Sequence, residues 1–72
     1  MPESVYKVIE LVGSSPESFE KAVATAVKMA SSSLRDLRIA EVVQLDAHIA
    51  KDGSIEFYRA KIRISFKYEG QG

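Results

Sequence analysis

Val5-Tyr6-Lys7-Val8-Ile9-Glu10-Leu11-Val12-Gly13-Ser14-Ser15-Pro16-Glu17-Ser18-Phe19 passes from one backbone periodicity to another. Residues 5–12 are rich in β-branched and aromatic side chains, which suit a pleated strand. Val5, Ile9 and Leu11 fall on one face with Lys7, and Tyr6, Val8 and Val12 on the other with Glu10. Both faces are largely apolar, so both are expected to be covered. Residues 13–17 then read as a turn into a helix. Ser14 or Ser15 can cap it, and Pro16 fits the first turn, where its missing N–H costs nothing. Glu17 stands at capping-box spacing from Ser14.

Behind this entry, Phe19, Ala22, Val23, Ala26, Val27, Ala30, Leu34 and Leu37 recur every three or four residues. The spacing predicts one apolar stripe on a helix over about residues 16–35. Glu20, Lys21, Thr25, Lys28 and Ser32 occupy the opposite face, and Glu17 with Lys21 makes a favourable i,i+4 pair. The alanines in the stripe imply a close approach of helix to sheet. Ser31-Ser32-Ser33 weakens the helix near its end, and Arg35 and Arg38 suit the negative end of its dipole.

A second strand is expected over residues 39–50. Ile39, Glu41, Val43, Leu45, Ala47 and Ile49 alternate with Ala40, Val42, Gln44, Asp46, His48 and Ala50. Asp52-Gly53 between two strand-like runs is a strong hairpin signal, because glycine tolerates the positive φ such turns need. Residues 55–68 alternate cleanly: Tyr58, Ala60, Ile62, Ile64, Phe66 and Tyr68 point one way, and Arg59, Lys61, Arg63, Ser65 and Lys67 the other. The polar tail at 69–72 is expected to fray. The order is β-α-β-β in a single domain, residues 1–72: an α+β fold in which a three-stranded antiparallel sheet wraps around one helix.

Composition narrows the function. The chain has 72 residues, 46% of them apolar and 28% charged, an ordinary globular balance. Ten basic side chains meet ten acidic ones. That balance lacks the basic surface a nucleic-acid partner needs. No cysteine is present, which excludes disulfides, thiol nucleophiles and zinc-thiolate sites. No stretch approaches the roughly 20 apolar residues of a membrane span, and residues 1–4 lack a signal-peptide pattern. The expectation is a cytoplasmic protein with neither a membrane nor a nucleic-acid partner.

Size and length point to self-association. A chain this short buries only about 60% of its unfolded surface alone and has no staple to compensate. The third strand would span roughly 46 Å, and a helix of about 20 residues roughly 30 Å. One helix cannot cover such a sheet, so its overhanging apolar ends are expected to bury against other copies of the chain.

The chain resembles the dodecin family. The residues that carry the likeness are the opening stretch 5–19, then Leu34-Arg35-Asp36-Leu37 leading to Glu41-Val42, then Ser65-Phe66-Lys67. The resemblance covers nearly the whole chain. It implies a hollow shell of twelve copies, a homo-oligomer, agreeing with the overhang argument. It also implies flavin binding, with a tryptophan stacked on the isoalloxazine ring and a glutamine on its polar edge. This chain has Ile39 at the tryptophan position and Arg59 at the glutamine position, and no tryptophan at all. Isoleucine offers area but no π face. Arginine only donates, so it cannot replace an amide that both donates and accepts. Weak binding of FMN or riboflavin is therefore expected, and the pattern is similar to a flavin-poor subgroup in which calcium or magnesium becomes a candidate.

Each candidate residue also has a plainer reading. Ile39, Gln44, His48 and Arg59 are the expected pocket lining, or else strand surface. His48 is the only histidine, and no nucleophile motif accompanies it, so a structural role outweighs a catalytic one. Arg59, Lys61, Arg63 and Lys67 form a basic stripe, either for anion recognition or for pairing with Glu41, Asp46 or Glu56 between subunits. Glu17 aligns with a metal-associated glutamate of some dodecins, while an acid there also favours the helix dipole. Calcium needs about six to eight oxygens, which scattered acids supply only if symmetry brings several copies together. The expected function is non-catalytic binding or storage of a small ligand between subunits, a metal ion or a phosphate-bearing molecule rather than a flavin in the usual stack. Weakened flavin binding and a purely structural assembly are the alternatives.

Overall fold

The structure, a computed structural model, describes residues 3–68. The fraying expected at 69–72 lies outside the described residues. β1 spans Tyr6–Ser15, α1 Phe19–Ser31, β2 Leu37–Ile49 and β3 Ile55–Lys67. The sheet order is β1-β3-β2, with β3 antiparallel to both neighbours. This is the α+β arrangement expected from the sequence. The cleanly alternating third strand takes the centre, and α1 carries the chain across from β1 to β2.

The core is narrow. Ala22, Ala26 and Ala30 of α1 lie against Ala60, Ile62 and Ile64 of β3, flanked by Ile9, Leu11, Val23 and Val27. Gly13 on β1 makes the close approach possible: a Cβ there would fall 2.9 Å from Ala26 Cβ and still nearer the Ala22 carbonyl.

The helix is shorter than its apolar stripe. β1 continues to Ser15, pairing Ser14 with Arg59 and Ser15 with Tyr58. Neither Ser14 nor Ser15 therefore caps α1. Ser15 Oγ accepts from the Glu17 N–H at 3.0 Å, and Ser18 is the cap, accepting from Lys21 N at 3.1 Å. Pro16 precedes the helix rather than opening it. At the other end, the Ser31 and Ser32 hydroxyls donate back to the Lys28 and Met29 carbonyls. Such bonds compete with helix continuation, and α1 stops there. Asp36 takes a left-handed φ of 58°, and Leu37 opens β2. Leu34 and Leu37 still reach the core, from the loop and from β2.

β2 departs from the simple alternation expected of it. Its register shifts between Leu37 and Ile39, between Val42 and Gln44, and between His48 and Ile49. At the middle irregularity Val42 opposes Ile62 and Leu45 opposes Ala60, so both lie on the helix side. Ile39 and Glu41 are consequently on the outer side together with Gln44, Asp46 and His48, because directly opposed residues share a face. Strict alternation had separated these two groups.

The molecule measures 55 × 20 × 16 Å. The 13 residues of α1 reach about 20 Å, while the 13 of β3 reach about 43 Å. Val42, Leu45, Ile49 and Ile55 consequently stand exposed beyond or beside the helix. Tyr6, Val8, Val12 and Ile39 are exposed on the outer face.

Candidate functional site

The outer face of the sheet carries most of the residues expected to act. Across it, side chains fall into rows set by the register. Phe57 opposes His48, and Arg59 lies between Ser14 and Asp46. Lys61 lies between Val12 and Gln44, Arg63 between Glu10 and Glu41, and Ser65 between Val8 and Ile39. The basic stripe of β3 is thus flanked by acids from both neighbouring strands.

Arg59 is held most firmly. Its Nε donates to Asp46 Oδ1 at 2.8 Å and its Nη2 to Asp46 Oδ2 at 3.1 Å. The hydrogen bond from Arg59 holds the Asp46 carboxyl below its ordinary range, and Asp46 in turn raises Arg59. Arg63 Nε reaches Glu10 Oε2 at 3.2 Å. The pairing expected between subunits is thus available within one chain for Asp46. His48 Nδ1 lies 3.0 Å from Glu56 Oε1, with its ring centroid 6.4 Å from that of Phe57.

Ile39, Gln44, His48 and Arg59 all share this face, but one chain does not gather them into one cavity. Gln44 and Arg59 stand in adjacent rows, whereas Ile39 and His48 lie near opposite ends of β2, about 25–30 Å apart along an extended strand. Ile39 is 63% exposed. It lines an open depression of about 310 Å³ with Tyr6, Arg38 and Ser65. Those three were not singled out from the sequence. Only the register brings Tyr6 and Ser65, from strands distant in the chain, beside Ile39.

Glu17 is elsewhere, in the turn before α1. It pairs with Lys21 at 2.8 Å, both side chains well exposed, and that bond lowers the Glu17 carboxyl. Among the described residues no three His, Cys, Asp or Glu side chains group as a metal site would require. Nor is any helix long and apolar enough to cross a membrane.

The sequence pattern of one family, Dodecin, matches residues 5–69. The chain belongs to the dodecin family. It is 47% identical over 64 residues to the calcium dodecin of Mycobacterium tuberculosis, covering 89% of each chain. Among solved structures it resembles the dodecin of Streptomyces coelicolor, with a TM-score of 0.91 and 35% identity over 99% of this chain and 100% of that one. It also resembles the calcium-chelating calcium dodecin of Mycobacterium tuberculosis, a structure with a calcium-binding site. There the TM-score is 0.82 and the identity 43%, over 96% of this chain and 97% of that one. The dodecin fold places β3 at the centre of the sheet and turns the charged face of that strand away from the helix.

Proposed function

We propose that this dodecin is a non-catalytic, cytoplasmic homo-oligomer of twelve copies forming a hollow shell, which holds a small ligand or ion, calcium foremost, between subunits. The observation that carries the assembly is the exposed apolar surface on both sides of an overhanging sheet. Val8, Val12 and Ile39 on the outer face and Val42, Leu45 and Ile55 on the helix side are each about half exposed or more. Leaving such surface in water forgoes roughly 25 cal/mol per Å².

The likeness to a calcium dodecin supports a cation as ligand. One chain offers separated carboxylates, so convergence of symmetry copies is required to reach calcium's coordination number. Glu17 is the proposed metal ligand, released from Lys21 when the ion binds. Ile39, Gln44, His48 and Arg59 are the proposed pocket lining. Isothermal titration of the assembled protein with calcium tests this: binding that Glu17→Gln weakens supports it, and an unchanged isotherm removes Glu17. Magnesium serves as the competing ion.

Flavin held in an altered pose is the second reading. The depression where the exposed Tyr6 lies beside Ile39 favours it. Fluorescence titration with riboflavin and FMN decides it: quenching at sub-micromolar protein restores the flavin role. If neither flavin nor metal binds, the chain is a structural assembly alone.

A further inference from the structure

The four cations along the outer face of β3 are not equivalent. Lys61 is bordered by Val12 and Gln44, and no described acid pairs with Lys67. Arg63 has acids on both sides. Arg59 alone has both an Nε and an Nη2 donor committed to the same carboxylate, that of Asp46, at 2.8 and 3.1 Å. This two-pronged edge is the one with which a guanidinium takes a carboxylate or phosphate from a ligand. An incoming oxyanion would have to evict Asp46 and then sit beside its negative charge. Without that charge, Arg59 and Lys61 would stand in adjacent rows with only Ser14, Val12 and Gln44 opposite them, an anion site ready-made.

We propose that Asp46 is a specificity-determining residue, which closes Arg59 to anions and sets this face to accept cationic or uncharged ligands. The inference rests on the reading of the outer face as ligand-lined, and it deepens that reading by denying a ligand's phosphate any added hold on Arg59. Asp46 is suited to the role at neutral pH, because Arg59 and Lys61 both favour its ionised form.

Riboflavin and FMN test it, since they share one ring system and differ by a phosphate. Both are titrated by fluorescence against the assembled wild type, Asp46→Asn, and the double variant Asp46→Asn with Arg59→Gln. Light scattering checks that each remains assembled, and Asp46→Ser replaces the asparagine variant if that one does not. The expected result is no preference for FMN in the wild type and about a tenfold or greater preference in Asp46→Asn. Inorganic phosphate should compete for that gain, and the double variant should abolish it. An unchanged FMN-to-riboflavin ratio in Asp46→Asn, with riboflavin bound, overturns the role of Asp46 alone. So does a preference that survives loss of Arg59. If no form takes either flavin, the ligand-lined reading of the face fails and the inference falls with it.

Discussion

Gly13 shows how one residue sets the spacing between layers. A methyl group there meets the α1 backbone at Ala22 and the Ala26 side chain, and neither can move without shifting the helix. Gly13→Ala is therefore expected to destabilise by about 1–3 kcal/mol, the usual cost of overpacking. Urea unfolding checks it; an unchanged midpoint would mean that the helix has room to retreat. Asp46 makes a prediction of a different kind. Its folded carboxyl titrates below the ordinary value, so its pairing with Arg59 stabilises above the unfolded pKa of about 3.9 and is lost as pH falls through the folded one. Asp46→Asn lacks that contribution at every pH. The unfolding midpoints of wild type and variant should differ at neutral pH and converge in acid; a constant gap would exclude the ion pair as the cause.

At the level of elements, the order and type of all four were legible, because period-2 and period-3.6 patterns meet cleanly at residues 13–18. The helix start was not. Three serines, at 14, 15 and 18, offer similar local chemistry, and only the pairing of Ser14 and Ser15 with β3 selects Ser18 as the cap. Circular dichroism during thermal unfolding separates the two readings. Ser18→Ala should cost about 1 kcal/mol, whereas Ser14→Ala, which removes no cap, should cost much less. Equal losses would return the cap to Ser14. The faces of β2 were half legible for a similar reason. The irregularity between Val42 and Gln44 reverses the side on which every later residue falls, and nothing in the local sequence marks it. This reversal brings Ile39 onto the face of Gln44, His48 and Arg59. The candidate residues were thus readable one by one, while their common face was not.

For the whole molecule, the ratio of sheet to helix is the governing fact. A 13-residue helix covers less than half the length of a 13-residue strand, and the uncovered remainder carries exposed apolar side chains on both sides of the sheet. A chain of this size with no disulfide and a core of small side chains gains stability most directly by covering that surface with copies of itself. Dilution should then lower the unfolding temperature, as it does for any assembly whose folding is linked to association. Substituting an exposed apolar residue of the overhang, such as Leu45→Lys, should lower the assembled mass before it lowers secondary structure. Self-assembly is read from the mass in solution by size-exclusion chromatography with light scattering. A single species of about twelve times the 7.9 kDa chain is expected; a stable, well-folded monomer would show that the overhanging sheet needs no copies to cover it.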